Sequence, residues 1–201
     1  MEKFLIITGG NIANYEKIKK FIDKKAFIIC ADSGYDHAIK LGVSPNITIG
    51  DFDSLKAKIP PNAIIHPIDK DKTDTELAIE YAISKGAESI ILIAALGTRA
   101  DHSIANIMLL LHYKHINIRI IDEHNEIFLA KEENIIQKSG EIVSLIPLSP
   151  CVVTTHGLQY ELNEHSLTPG PSIGISNISL KENSIIRVHK NQDLLIIIAK
   201  D

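Results

Sequence analysis

Between residues 4 and 122, short apolar runs alternate with segments that have the periodicity of a helix. Continuous apolar strands that alternate with helices indicate a parallel sheet that is covered on both faces. A capping-box pattern of Thr73 and Glu76 begins one helix, and Gly86 ends it. We expect strands at residues 4–8, 26–30, 46–50, 63–66, 89–96 and 116–122, and helices at residues 15–22, 35–41, 73–85 and 101–113.

After Asp122 the pattern changes to short segments near the period of a strand, with turn residues between them. These segments cover residues 141–148, 151–158, 172–180, 184–190 and 193–199. Several short strands separated by turns predict an antiparallel sandwich or barrel. The predicted fold is therefore an α/β parallel-sheet domain at residues 1–123, followed by an all-β antiparallel sandwich domain at residues 124–201.

The charge and hydropathy of the chain exclude two classes of partner. The net charge is −4, whereas a nucleic-acid partner normally requires a basic face. No apolar run approaches the roughly 20 residues that a membrane-spanning helix needs. The start, MEKFLIITGG, is broken by glycine too early for a signal peptide, so the expected location is the cytoplasm. Cys30 and Cys151 stand in apolar runs, as expected for reduced thiols in a core.

Carboxylates follow the expected strands of the first domain. A single Asp after a strand is usually a turn former or a helix cap. In an open parallel sheet, however, the carboxyl ends of the strands meet at one crevice, where ligands bind. Carboxylates crowded there repel one another, and a divalent cation relieves that repulsion. Oxygen ligands favour Mg²⁺ over Zn²⁺. The acids concerned are Asp32, Asp51, Asp53, Asp69, Asp71, Asp74 and Asp101.

Glycines stand beside these acids at three strand ends. Gly9, Gly10 and Asn11 follow the first expected strand and precede a helix, where bare backbone N–H groups would hold an anion. Gly34 opens the next helix in the same way. The segment Gly97-Thr98-Arg99 follows the fifth expected strand, and Arg99 is either a cation for phosphate or a surface residue.

The motifs A-D-S-G at 31–34, G-D-F-D-S at 50–54, D-K-D-K-T-D at 69–74 and G-T-R-A-D-H at 97–102 together resemble the thiamine pyrophosphokinase family. Two later segments extend the resemblance over nearly the whole chain: T-T-H-G-L-Q-Y at 154–160, and G-I-S-N at 174–177, which resembles a thiamine-contacting strand. The resemblance implies a nucleotide-binding α/β domain, a thiamine-binding β-sandwich and a homodimer whose active sites lie at the interface. It also implies the reaction of ATP with thiamine to give thiamine diphosphate and AMP.

The resemblance further assigns roles to residues. Asp51, Asp53 and Asp71 would bind Mg²⁺, and Asp71, or else Asp101, would accept the proton of the attacking hydroxyl. Arg99 and Asp101 would contact the phosphates. Thiamine would contact Ser176 and Asn177, with Tyr160 in place of the family's tryptophan, since this chain has none. The residues expected to bind ATP are Gly9, Gly10, Asn11, Asp32, Gly34, Lys72, Asp74, Thr98 and His102; Lys70 is an alternative cation to Lys72.

Three alternatives stay open at this point. A pyrophosphokinase for another hydroxymethyl acceptor, such as a pterin, would share the metal and nucleotide residues. The D-F-D segment is also typical of aspartyl-phosphate hydrolases, although those place it after the first strand rather than the third. The chain would otherwise be a nucleotide-binding module without catalytic activity.

Overall fold

The computed structural model describes residues 3–23, 25–53, 55, 58–97 and 99–199. The chain divides into two compact units, Met1–Glu123 and His124–Asp201. None of the helices that the described residues form has the length and apolar character of a membrane span.

The first unit is built on a parallel sheet. Its elements are β1 (Phe4–Ile7), α1 (Tyr15–Lys19), β2 (Phe27–Ala31), α2 (Gly34–Leu41), β3 (Ile47–Gly50), β4 (Ala63–Ile65), α3 (Asp74–Ser84), β5 (Ser89–Ile93), α4 (Ala100–His112) and β6 (Asn117–Ile121). The strands follow the order β6-β5-β1-β2-β3-β4, and each neighbouring pair in that order is parallel. Because β1 lies between β5 and β2, the chain reverses its direction of winding there, which opens a crevice at the carboxyl ends of these strands.

Helices cover both faces of this sheet. On one face, Leu5 and Ile7 of β1 pack with Ile18 of α1 and Ala38 of α2 in one core cluster. The alternate side chains point to the other face. There the Phe27 ring lies 5.4 Å from Phe4 and 6.5 Å from Tyr81 of α3. Burial on both sides explains why the strands are continuous apolar runs.

Local signals determine the ends of α3. Thr73 is the N-cap, and its hydroxyl accepts a hydrogen bond from the Glu76 N–H at 3.3 Å. The reciprocal half of the predicted capping box is replaced, since the Glu76 carboxylate accepts from the Tyr113 hydroxyl instead. Gly86 has a φ of +86° and ends the helix as predicted.

Two elements of the first unit end three residues earlier than the sequence predicts. Helix α1 ends at Lys19 rather than residue 22, because the Phe21 and Ile22 N–H groups bond three residues back and tighten the last turn. Strand β5 ends at Ile93 rather than residue 96, because Ala94 has a φ of +56°. The Ala94 carbonyl accepts from the Gly10 N–H at 2.7 Å instead of continuing the sheet.

The second unit packs two antiparallel sheets face to face. The strands are β7 (Asn125–Leu129), β8 (Glu133–Ile136), β9 (Ile142–Pro147), β10 (Cys151–His156), β11 (His165–Leu167), β12 (Asn177–Ile178), β13 (Ser184–Val188) and β14 (Leu194–Ala199). The strand orders of the two sheets are β12-β9-β14-β7 and β11-β10-β13-β8. Leu145 and Ile196 of one sheet share a buried cluster with Val153 and Ile186 of the other, which is the core of a β-sandwich. Cys151 of β10, like Cys30 of β2 in the first unit, is a buried free thiol, as predicted.

The strand predicted at residues 172–180 is wrong over most of its length. Only Asn177–Ile178 pairs as a strand, because Gly174 and Ser176 have φ of +95° and +56° and turn the backbone. The segment 174–177 is therefore mainly a turn. The prediction also missed β7, β8 and β11.

Candidate active site

A cleft of about 640 Å³ lies at the carboxyl ends of β1, β2 and β5, within the first unit. Loops after all three strands line it, as does the beginning of α4. The sequence-predicted residues that line the cleft are Gly9, Gly10, Asn11, Asp32, Lys70, Asp71, Lys72, Asp74, Arg99 and His102. Those that are not among its described lining residues are Gly34, Asp51, Asp53, Asp69 and Asp101, and Thr98 lies outside the residues that the structure describes.

Three carboxylates converge beside this cleft. Asp32, Asp51 and Asp53 each place an oxygen within 4.8 Å of the others. A turn brings Asp51 and Asp53 there, since Phe52 has a φ of +62° and the Asp53 N–H donates to Asp51 Oδ1 at 3.3 Å. The geometry therefore differs from the extended segment that an interval of two residues suggests. A donor set made only of carboxylate oxygens fits Mg²⁺.

Lys70 joins this acidic group to α3. Its Nζ lies 2.5 Å from Asp51 Oδ2 and 3.2 Å from Asp74 Oδ1. The hydrogen bond from Lys70 lowers the pKa of Asp51, whereas burial raises the pKa of Asp74. Burial alone would lower the pKa of Lys70, but the two carboxylates raise it. Lys70 is therefore a charged counter-ion inside the acidic group.

Asp71 and Lys72 both line the cleft but differ in their surroundings. Asp71 does not belong to the group of three carboxylates found among the described residues. Lys72 Nζ lies 2.6 Å from Glu80 Oε1 on α3. Of the two candidate lysines, Lys70 therefore contacts the acids of the site, and Lys72 contacts a helix.

Arg99 forms a two-pronged ion pair with Asp101. Its Nη2 lies 2.6 Å from Asp101 Oδ2, and its Nε lies 3.2 Å from Oδ1. This pairing, with the His102 N–H, lowers the pKa of Asp101 to about 2. A carboxylate with so low a pKa is a weak base, which disfavours Asp101 as the proton acceptor.

The glycines allow close approach of the backbone. A Cβ on Gly10 would lie 2.1 Å from the Ala94 carbonyl oxygen, and one on Gly34 would lie 2.0 Å from the Ile7 carbonyl oxygen. Gly34 therefore lets α2 begin directly against β1. Its role in the structure is packing, whereas Gly10 belongs to the cleft wall.

Asn106 and Ser103, which sequence reasoning missed, support the loop after β5. The buried Asn106 donates from Nδ2 to the Ala95 carbonyl at 2.7 Å, and the Gly97 N–H donates to Ser103 Oγ at 3.1 Å. Both side chains lie on α4 at helical intervals, where the sequence shows no motif. Only the loop contacts reveal their role.

In the second unit, Asn177 holds the backbone of Tyr160. The Asn177 side chain is buried, and its Oδ1 accepts from the N–H groups of Tyr160 at 3.0 Å and Ile178 at 2.9 Å. Its Nδ2 donates to the Tyr160 carbonyl at 2.7 Å. The Tyr160 side chain itself is 65% exposed, and Ser176 is exposed as well. Tyr160 and Ser176 therefore present surface for a ligand, whereas the Asn177 amide is occupied by backbone.

Apolar side chains are exposed in the same part of the second unit. They are Ile173, Ile175, Ile178 and Leu180. Exposed apolar side chains grouped in one segment are typical of a surface that binds a partner or ligand.

Family models match both units. Residues 18–121 match the model described as "Thiamin pyrophosphokinase, catalytic domain". Residues 124–195 match "Thiamin pyrophosphokinase, vitamin B1 binding domain".

Curated relatives and solved structures match over most of the chain. A thiamine pyrophosphokinase of Bacillus subtilis is 32% identical over an alignment of 193 positions, which covers 88% of this chain and 89% of the relative. Thiamine pyrophosphokinase 1 of Oryza sativa subsp. japonica is 26% identical, over 86% of this chain and 78% of the relative.

The crystal structure of a Bacillus subtilis thiamine pyrophosphokinase superposes with a TM-score of 0.88 at 28% identity and covers all of both chains. That of Geobacillus thermodenitrificans gives a TM-score of 0.87 at 27% identity, over 99% of this chain and 98% of that chain. The predicted two-domain fold is confirmed.

Proposed function

Because the chain belongs to the thiamine pyrophosphokinase family, we propose that the cleft at the carboxyl ends of β1, β2 and β5 is where it transfers the pyrophosphoryl group of ATP to thiamine. The products of this reaction are thiamine diphosphate and AMP. The convergence of a glycine loop, carboxylates and Arg99 on this one cleft carries the assignment. A guanidinium suits phosphates, and Gly9 and Gly10 place no side chain between the loop backbone and the phosphates. The Gly10 and Asn11 N–H groups already donate to the Ala94 and Leu96 carbonyls, so they are not the bare anion-binding donors that the sequence suggests.

We propose that Asp32, Asp51 and Asp53 hold Mg²⁺ together with Asp71, which lines the cleft. The first three bring oxygens within 4.8 Å of one another, and the assignment of Asp71 rests on the family resemblance. When bound, the ion supplies positive charge that offsets the charge on phosphate oxygens. The Lys70 ammonium pairs with the Asp51 carboxylate, and Mg²⁺ would replace it there.

The chemistry is an in-line displacement. The hydroxyethyl oxygen of thiamine forms a bond to the β-phosphorus of ATP, the bond from that phosphorus to the bridging α-phosphate oxygen breaks, and AMP leaves. Such transfers depend on alignment and charge neutralisation. Asp71 accepts the hydroxyl proton, since Arg99 keeps Asp101 a weak base. Arg99 stabilises charge on the transferred group.

The thiamine site in this proposal contains Tyr160 and Ser176. The exposed Tyr160 ring takes the place of the family's tryptophan. A homodimer accounts for the exposed apolar segment 173–180, because a second copy would cover it and complete each active site. The cytoplasmic location stays a prediction from the sequence.

The test is AMP formation from ATP and Mg²⁺, with and without thiamine, by wild type, Asp71→Ala and Asp23→Ala. Asp23 is a surface acid paired with Lys3 and serves as the control. We expect thiamine-dependent AMP with matching thiamine diphosphate, lost in Asp71→Ala by at least about a hundredfold and kept in Asp23→Ala. Near-normal turnover by Asp71→Ala would refute the role of Asp71. Release of AMP with a pterin alcohol but not thiamine would refute the acceptor.

A further inference from the structure

His37 of α2 lies behind the glycine loop of the cleft. Its Nε2 is 2.8 Å from the Gly10 carbonyl oxygen, and its Nδ1 is 2.7 Å from the Tyr15 hydroxyl. A carbonyl oxygen only accepts hydrogen bonds, so the proton is on Nε2. Burial lowers the pKa of His37, which favours the neutral ring. In that ring Nδ1 accepts from Tyr15, so the two partners together select one tautomer.

The Gly10 loop is thereby held from two sides. On one side, the Gly10 N–H donates to the Ala94 carbonyl at 2.7 Å, and the Asn11 N–H donates to the Leu96 carbonyl at 2.8 Å. On the other side, His37 donates to the Gly10 carbonyl. Gly10 and Asn11 line the cleft, whereas His37 and Tyr15 are not among its described lining residues.

We propose that His37, kept in one tautomer by Tyr15, is a positioning residue that orients the Gly9–Asn11 loop for the phosphates of ATP without touching the nucleotide. This inference rests on the proposed function, which places ATP in the cleft. A loop held in its binding conformation before the ligand arrives loses less entropy on binding, which increases affinity. The effect of His37 is therefore on ATP and not on thiamine.

The two amide replacements of His37 separate this role from general stability. Gln carries an amide nitrogen at the position of Nε2 and keeps a donor for Gly10, whereas Asn carries its amide at the position of Nδ1 and does not. We expect His37→Asn and His37→Leu to raise the KM for ATP about fivefold, the effect of one lost hydrogen bond. His37→Gln should stay within about twofold of wild type. The KM for thiamine should not change in any of the three.

Thermal unfolding midpoints of the same variants provide the second readout. If His37 had a purely structural role, His37→Asn and His37→Gln would both lower the unfolding midpoint, and the activity of each would fall with it. Equal KM values for ATP in these two variants, or an unchanged KM in His37→Leu, would overturn the inference.

Arg99→Ala, which removes a cleft cation without touching His37, tests the proposed function separately. If this variant keeps wild-type kinetics with ATP, the cleft assignment fails, and the inference about His37 fails with it. If Arg99→Ala is impaired but His37→Leu is not, only the inference is overturned.

Discussion

Lys70 lies between Asp51 and Asp74, and the three side chains are 15%, 12% and 19% exposed. At neutral pH the ion pair with Asp51 is fully charged, because that contact lowers the pKa of Asp51 and raises that of Lys70. Lys70 therefore supplies positive charge to the acidic group when no metal is bound. It also competes with a metal for Asp51.

The Lys70→Met variant should consequently bind Mg²⁺ more tightly. We expect the dissociation constant to fall at least about twofold, because Mg²⁺ no longer has to displace the ammonium from a largely buried ion pair. The unfolding midpoint in EDTA should fall, and the stabilisation by added Mg²⁺ should grow. Calorimetric titration measures the dissociation constant for Mg²⁺, and thermal unfolding measures the midpoints in EDTA and in Mg²⁺. The control is Lys3→Met, which removes an exposed ion pair with Asp23, and equal Mg²⁺ responses in the two variants would contradict the prediction.

The Asn177 amide bonds to the backbone of Tyr160, while its contact with thiamine stays a prediction. If it acts only through Tyr160, the two residues should not contribute independently to thiamine binding. We expect Asn177→Ala and Tyr160→Ala each to raise the KM for thiamine about five- to tenfold, and the double variant to be no worse than Tyr160→Ala. If the two increases in the KM for thiamine multiply in the double variant, Asn177 contacts thiamine directly.

Helix α3 depends on its N-cap, and it carries Asp74 into the site. Removing the cap hydroxyl with Thr73→Ala should lower the free energy of unfolding by about 1 kcal/mol, because the Glu76 N–H loses its acceptor. Ser84→Ala, at the other end of the same helix, removes only a bond to the Tyr81 carbonyl. Urea unfolding should show a loss below about 0.5 kcal/mol for that variant. If Thr73→Ala and Ser84→Ala lose similar free energies of unfolding, the N-cap is not the main determinant of the stability of α3.

The elements that the sequence predicts well are those with a strong physical signal. The strands β1 and β2 are buried on both faces, so each is a continuous apolar run. The strand β8 alternates exposed and buried residues over only four positions, which is too short to distinguish from a loop. Strand β11 is three residues long and partly polar, and it was missed for the same reason.

The candidate site likewise has features that the sequence predicts and features that it does not. Residue types and strand ends predict which loops reach the cleft, because parallel strands share one carboxyl edge. They do not predict the left-handed backbone of Asp32, Phe52 and Ala94, since none of these is a glycine. That backbone brings Asp51 and Asp53 to Asp32 and ends β5 early. The contacts of His37 and Asn177 depend on residues distant in sequence and leave no local motif.

At the scale of the whole molecule, each active site of the proposed homodimer is formed by the cleft of one chain and the Tyr160 surface of the other chain. A hybrid dimer of an Asp71→Ala chain and a Tyr160→Ala chain tests this directly. With shared sites, the hybrid has one site with Asp71 and Tyr160 both intact, and one site that lacks both. At thiamine concentrations below KM, we expect about half of the wild-type activity per dimer.

The hybrid is purified through a different affinity tag on each chain, so that neither parent dimer contributes. If each site lies within one chain, the hybrid has one site without Asp71 and one without Tyr160, and it should retain only about a twentieth to a tenth of wild-type activity. Failure to recover any protein through both tags would show that the chain does not dimerise. Recovery of about half of the activity requires both a dimer and a site completed by its partner, because neither parent chain contains an intact pair of residues.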